Sequence, residues 1–361
     1  MNRLIIALSL TAGLAVTALS CARPLDWTDP MEPENNKDMV TVVFSVAGEE
    51  RAKATGVSDA SEVRIGRWAV FAFDQSIGWY RYATSLSGED IPMNLVAGRS
   101  YSCYAIVNYS TSGTGAFQPE HVKTPSDLTE KVAYLGDNSV GNLLMFGADT
   151  IVPEAGESGT RSIRVQRIVS RINITRVAVD FSEAPALAAK TFTLKHIYIT
   201  NAYRTTRFGD DFPASGLSGS RSAWYNSGGW HRGENGESSM DALLGGRNLN
   251  AVITQANPYT VTHTFYAFPN ATKKANDNHS MERWTPRCTR IVLEATLDDD
   301  TVYYWVNVPE MERNHIYTAD NVVIRGRGSN DPEIYDIDPG VLDVSFNIRD
   351  GWDGNDRELN L

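Results

Sequence analysis

The chain has 361 residues, 42% of them hydrophobic, and a formal net charge of −11 at pH 7. This length allows two domains of ~100–200 residues each, and the apolar share is sufficient for sizeable cores. The acidic balance argues against nucleic acid as a partner and against binding to an anionic membrane through a basic patch.

The first 20 residues are typical of an export signal. A short basic start with Arg3 is followed by an apolar run over residues 4–19 and then by Ser20 and Cys21. The run is too short to be a stable membrane span. A cysteine directly after such a run resembles a bacterial lipoprotein signal, which implies cleavage before Cys21 and its acylation, with palmitate among the acyl groups. The alternative is an ordinary secretory signal with an incidental cysteine.

Residues 21–38 are polar and contain several prolines, which indicates a flexible tether. Residues 39–46 predict a first strand, and residues 48–59 predict a polar loop after it. Further strands are predicted at residues 63–74, 78–84, 101–109 and 143–146. A short helix with a capping-type start is predicted at residues 125–130.

Residues 161–180 contain the clearest alternation in the chain. Isoleucine and valine side chains are interleaved with Arg161, Arg164, Arg167 and Arg171. This pattern predicts one long strand, with a bulge near Arg167 where the phase slips. We expect the boundary between two domains here, with an N-terminal β-sandwich over residues 39–170 and a C-terminal one over residues 171–361.

The second half repeats the strand pattern. Strands are predicted at residues 192–201, 261–268, 289–296, 301–308, 321–325 and 342–348. The three aspartates 298–300 between two of them predict a hairpin turn. Because no long amphipathic helix intervenes, the sequence predicts an all-β sandwich fold.

Residues 206–249 interrupt this pattern and read as an insertion rich in Gly, Ser and Asn. Trp224, Tyr225 and Trp230 lie in it and are candidates for contact with a sugar or a protein. Alternatively, these aromatic side chains hold the loop onto its own domain.

No catalytic, metal or cofactor site is predicted. The six histidines are scattered, and neither a nucleophile elbow nor a phosphate-binding loop is evident. Cys103 and Cys288 are far apart in sequence, so we expect small buried core residues, with a disulfide between them left open.

Several segments together resemble the fimbrillins of Bacteroidales-type bacteria, a superfamily of fimbrial subunits exported as lipoproteins. The segments that carry the resemblance, in chain order, are residues 70–74 (VFAFD), 101–108 (YSCYAIVN), 165–172 (VQRIVSRI), 265–270 (FYAFPN), 289–295 (TRIVLEA), 303–308 (YYWVNV), 312–317 (ERNHIY) and 322–332 (VVIRGRGSNDP). The resemblance implies two transthyretin-like β-sandwich domains in tandem and a structural subunit, not an enzyme. It also implies that an arginine- or lysine-specific protease cuts the loop after the first strand, which here contains Arg51 and Lys53.

Removal of residues 39–46 would leave an unpaired edge and an apolar groove, which is a template for a strand of another chain. Head-to-tail repetition of that contact gives a filament. The candidate donor is the strand that carries Leu342, Val344, Phe346 and Ile348 on one face. The alternatives are that this is simply the last strand of the second domain and that Arg51 is an ordinary loop residue.

The sequence therefore predicts a structural subunit of a cell-surface fimbrium, or pilus, at the outer membrane. Its partners would be other fimbrial subunits, the membrane through the N-terminal lipid before processing, and a host or bacterial surface ligand, but no nucleic acid. The alternatives are a fimbrial anchor or tip protein, and a monomeric surface lipoprotein that binds glycans through Trp224, Trp230 and Trp284.

Overall fold

The computed structural model describes residues 39–48, 62–157, 159–209, 223–225, 241–245, 248–272, 287–331, 339–352 and 356–360. Cys21, Arg51, Lys53, Trp230 and Trp284 lie outside these residues. Strands dominate the described part, and no helix in it is longer than five residues. The prediction of an all-β fold is therefore confirmed.

The first eight strands build a seven-stranded sheet with one short strand outside it. They are β1 (Met39–Gly48), β2 (Trp68–Asp74), β3 (Tyr80–Ser85), β4 (Ile91–Val96), β5 (Tyr101–Val107), β6 (Val132–Tyr134), β7 (Met145–Ile151) and β8 (Thr160–Arg167). The order in the sheet is β3-β2-β5-β7-β8-β1-β4. The helix α1 (Pro125–Thr129) begins with a capping box at Thr124, as the sequence predicted.

The sheet bends over itself and encloses the smaller of two cores. Side chains of β1, β4 and β8 pack there against side chains of β2, β5 and β7. Every residue of β2 is buried, because Trp68, Val70 and Ala72 point into this core and Ala69, Phe71 and Phe73 into the larger one. This strand begins at Trp68, five residues later than predicted, and the chain before it forms a turn and irregular structure.

The arginine-rich segment is not one long strand, so that prediction is wrong. It forms two strands, β8 and β9 (Ser170–Ile174), joined at Ile168 and Val169. The strand β8 alternates between exposed and buried residues, whereas every residue of β9 is buried. The slip in phase near Arg167 marks the point where the chain leaves one sheet and enters the next.

The remaining strands build the second half. They are β10 (Val177–Val179), β11 (Phe192–Thr200), β12 (Ala202–Tyr203), β13 (Thr205–Arg207), β14 (Trp224–Tyr225), β15 (Ala251–Ile253), β16 (His263–Ala267), β17 (Arg290–Leu297), β18 (Asp300–Asn307), β19 (Ile316–Ile324), β20 (Leu342–Arg349) and β21 (Asp356–Asn360). Two short helices accompany them, α2 (Pro185–Ala188) and α3 (Asp241–Leu244).

Two sheets of this half enclose part of the larger core. One has the order β16-β9-β19-β20-β21, with β10 paired to β19, and the other has the order β15-β11-β17-β18. The short pairs β12-β14 and β13-β6 stand apart from them. The predicted hairpin is present between β17 and β18, where Asp298 has the left-handed φ of 54°. The larger core also includes residues of β2 and β5, and the division at residues 170 and 171 stays a prediction.

Cys103 and Cys288 are both buried and both free thiols. No helix of the described residues combines the length and hydropathy that crossing a bilayer requires.

Candidate assembly site

The strand β1 lies between two neighbours that run in different directions relative to it. It is antiparallel to β4, where residues 39–44 pair with residues 91–96. It is parallel to β8, where residues 43–48 pair with residues 160–165. Each neighbour thus offers β1 an edge, and we call the space that β1 fills between β4 and β8 the β1 slot.

The β1 slot is apolar on the side that faces the smaller core. Val42 and Phe44 are fully buried, and the flanking Val40 and Val46 are partly buried against the same core. The contacting side chains from the two neighbours are Ile91, Met93 and Leu95 of β4, and Ile163 and Val165 of β8. On the outer face the Thr41 hydroxyl donates to the Asn94 side-chain oxygen over 2.8 Å. The inward face of β1 therefore supplies the hydrophobic contact, and the outward face carries the polar Thr41 and Ser45 among apolar residues.

The predicted cleavage residues follow β1 directly in sequence. Arg51 and Lys53 belong to residues 49–61, outside the described part, and the description resumes at Glu62. Cleavage there stays a prediction.

The predicted donor residues lie in β20, inside a sheet of this same chain. Phe346 is fully buried, Val344 and Ile348 are almost so, and Leu342 is half-buried. The strand pairs with β19 over eight residue pairs and with β21 over five. In this structure β20 therefore has a partner on each edge, and any donation requires it to leave both.

Trp224 and Tyr225 form the short strand β14, which pairs with β12. Trp224 is 1% exposed, and its ring centroid lies 3.7 Å from that of Tyr203. The Arg204 guanidinium stacks 4.0 Å from the Tyr225 ring centroid, and its Nε donates to the Trp224 carbonyl over 3.1 Å. Both aromatic side chains pack against their own chain, so a sugar platform at Trp224 would require this contact to open. The ligand-loop role stays a prediction.

Sequence reasoning missed a buried ionic group at the crossover from β8 to β9. Arg167 and Arg171, which were predicted to alternate with apolar residues in one long strand, are 1% and 2% exposed. A 2.9 Å ion pair joins Arg171 Nη1 to Glu62 Oε2, and Glu62 is 2% exposed. The only signal in the sequence was the loss of alternation at Arg167.

The described residues contain no group of three or more His, Cys, Asp or Glu side chains that could hold a metal ion. Burial raises the pKa of the Cys103 thiol to about 12 and also raises the pKa of Cys288. Since the thiolate is the reactive form, both cysteines are poor nucleophiles at neutral pH.

Comparisons with solved structures identify the type of fold. No family model and no curated protein matches the chain. A candidate cell adhesion protein of Bacteroides eggerthii is 15% identical, with a TM-score of 0.57 over 88% of this chain and 97% of that one. One from Parabacteroides distasonis is 14% identical, with a TM-score of 0.56 over 86% of this chain and 98% of that one. A fimbrilin of Porphyromonas gingivalis is 16% identical, with a TM-score of 0.54 over 85% of this chain and 96% of that one. The chain therefore has a fimbrillin-type fold, as the sequence resemblance predicted.

Proposed function

We propose that this protein is a structural subunit of a cell-surface fimbrium that serves adhesion, and that it has no catalytic role. It is exported as a lipoprotein precursor with lipid on Cys21, and a protease then cuts after Arg51 or Lys53. The cut frees β1, and a strand of a neighbouring subunit enters the β1 slot. The observation that carries this proposal is the position of β1, which is paired on both sides and directly precedes the segment with both basic residues.

An empty β1 slot is unfavourable for two physical reasons. The facing edges of β4 and β8 would expose backbone donors and acceptors that β1 now satisfies, and unpaired buried backbone groups are costly. The side chains that Val42 and Phe44 now cover would meet water, at about 1.5–3 kcal/mol for each side chain of that kind. A strand with matching inward residues relieves both costs, and it adds itself in the manner of β-augmentation.

The strand β20 has inward residues that match those of β1 position by position. In chain order, Val40, Val42, Phe44 and Val46 of β1 correspond to Leu342, Val344, Phe346 and Ile348 of β20. A β20 strand that ran through the slot in the same direction as β1 would therefore present side chains of similar size to the same core. In this register Asp343 takes the outward position of Thr41, opposite Asn94.

A disulfide cross-link between subunits tests both the exchange and its register. Asn94→Cys is made in one copy of residues 22–361 and Asp343→Cys in another, each with Cys103 and Cys288 left in their cores. Directly opposed residues of antiparallel strands have Cα atoms about 4.5–5.5 Å apart, which suits a disulfide. After low-dose trypsin and mild oxidation, we expect a linked dimer of the mixed pair. Asn94→Cys with Ser345→Cys, two residues out of register, is the matched control and should link poorly.

Because β20 is already paired on both edges, an alternative position for this subunit, at the tip of the filament, is also favoured. A subunit that accepts a donor strand but keeps its own β20 would sit at the tip, since it can end a filament but cannot extend one. In that case trypsin cuts in residues 49–61 and the slot accepts an added partner strand, but the mixed cysteine pair gives no dimer. Mass spectrometry of the new N-terminus identifies the cut. A stable monomer with no cut there contradicts strand exchange and supports a monomeric surface lipoprotein.

A further inference from the structure

A cluster of five buried side chains joins distant parts of the chain, and we call it the Trp352 cluster. Its members are Glu62, Arg167, Arg171, Tyr266 and Trp352. All five are less than 10% exposed. They come from the chain just after residues 49–61, from the β8–β9 crossover, from β16, and from the chain between β20 and β21.

Glu62 is the anion that orients the cluster. Its carboxylate pairs with Arg171 Nη1 over 2.9 Å and accepts a hydrogen bond from the Tyr266 hydroxyl. Its backbone carbonyl accepts from Arg167 Nε over 3.1 Å. Both guanidinium groups thus bond to Glu62, and charge-assisted hydrogen bonds of this kind are among the strongest in proteins. Arg171 also donates to Asn173 and Thr264, and Arg167 also donates to Asn314.

Trp352 packs its ring against the two arginines. The Arg167 Cζ atom lies 4.0 Å from the Trp352 ring centroid, and the Arg171 Cζ atom lies 5.7 Å from it. The Tyr266 ring stacks on the same indole, with a centroid distance of 6.3 Å and an interplanar angle of 22°. Trp is the best aromatic partner for a cation, and such contacts strengthen when they are desolvated.

One feature of Trp352 weakens this contact. Its indole N–H is buried, and no described residue accepts a hydrogen bond from it. When Trp352 leaves the cluster, water can satisfy that donor, so the unmet hydrogen bond favours the open state. The contact therefore combines strong attraction through the ring face with a built-in opposing cost.

We propose that the Trp352 cluster is a latch that holds the strand pair β20–β21 in its own sheet, and that Glu62 sets the latch. Trp352 lies three residues after the end of β20 and before the start of β21, so its anchoring restrains both strands. Glu62 belongs to neither strand and acts on Trp352 through the positions of Arg167 and Arg171. The consequence for assembly rests on the proposed function: β20 becomes available as a donor only when the latch is open.

Hydrogen exchange of the uncut chain, residues 22–361, tests the latch without any need for cleavage or polymerisation. Trp352→Leu removes the ring, whereas Glu62→Gln keeps the shape of the side chain and removes its charge. We expect each change to speed amide exchange in β20 and β21 by about tenfold or more, because local opening controls exchange in such units. Exchange in β17 and β18 should stay within about twofold of the unchanged chain.

The control is Asp74→Asn, which removes the charge of another buried carboxylate that pairs with an arginine, Arg99, over 3.0 Å. It should leave exchange in β20 and β21 unchanged, so general destabilisation is separated from the latch. If Trp352→Leu does not fold, Glu62→Gln and Tyr266→Phe still decide the question. Faster exchange confined to the chain around residue 62, with β20 and β21 unchanged, overturns the proposal. If the latch substitutions speed exchange as expected but the cross-link between positions 94 and 343 does not form, the role of β20 as donor is rejected and the latch stands.

Discussion

Truncation of one phenylalanine in β1 and one in β20 should have different effects before and after assembly. Phe44 is fully buried in the β1 slot, and Phe346 is fully buried in its own sheet. Removal of a buried phenylalanine ring costs about 3–5 kcal/mol when the cavity does not collapse. We therefore expect Phe44→Ala and Phe346→Ala each to lower the free energy of unfolding of the uncut chain by about that amount.

The effects of the two substitutions should differ after cleavage. Since β1 has then left the slot, Phe44→Ala should not weaken the assembled oligomer, whereas Phe346→Ala weakens the strand that fills the slot. The uncut chains are compared by urea unfolding followed through tryptophan fluorescence, and the oligomers by the temperature at which they dissociate in detergent. Equal weakening of both oligomers would mean that β1 still occupies the slot, and strand exchange would be refuted. An oligomer unaffected by Phe346→Ala would instead exclude β20 as the donor.

Three further predictions concern the first half of the fold. Gly147→Ala should destabilise the chain by about 1–3 kcal/mol in urea unfolding, since its Cβ would lie 2.1 Å from the Arg164 carbonyl oxygen of β8, whereas Gly159→Ala meets nothing within 4 Å and should be nearly neutral. Burial acts to raise the pKa of Asp74, but hydrogen bonds from Ser76 and Arg99 outweigh it and hold the pKa below its ordinary 3.8. The stability that the charged Asp74 contributes is thus full at neutral pH and lost as pH falls below about 4 through the folded-state pKa, so Asp74→Asn should flatten that acid loss in unfolding measured between pH 7 and pH 2. Iodoacetamide at pH 8 should leave Cys103 unmodified in the folded chain and modify it in urea, and rapid modification in the folded chain would contradict its burial.

Most strands could be predicted because their residues alternate or form short apolar runs. The turn at Asp298 and the capping box at Thr124 were also predictable, since both depend on residues close in sequence. The strand β4 was not predicted, and its Pro92 lacks the backbone N–H that a strand interior uses for pairing. Proline is tolerated there because β4 ends the strand order and pairs through one edge only among the described strands.

The Trp352 cluster could not be predicted, for a different reason. Periodicity reports which face of a strand is buried, but it does not report which distant residue will neutralise a buried charge. Arg171 is buried because Glu62, 109 residues earlier in the chain, supplies a carboxylate. Its environment also depends on Trp352, from the far end of the chain. Neither partner carries a local signal that connects it to the arginine-rich segment.

The pairing of β20 limits what strand exchange by this chain can achieve. In its own sheet β20 has eight residue pairs with β19 and five with β21, and in the slot it would have six with each neighbour, as β1 does. Because its inward side chains resemble those of β1, neither backbone pairing nor hydrophobic contact drives the move. A donated β20 fills the gap in one subunit and opens another gap in its own second half. A polymer built only by this exchange therefore transfers the defect along the filament, whereas a tip subunit that accepts a strand from a different partner removes it. A self cross-link between positions 94 and 343 must consequently be accompanied by loss of exchange protection in β19 and β21, and a cross-link without that loss would refute this reasoning.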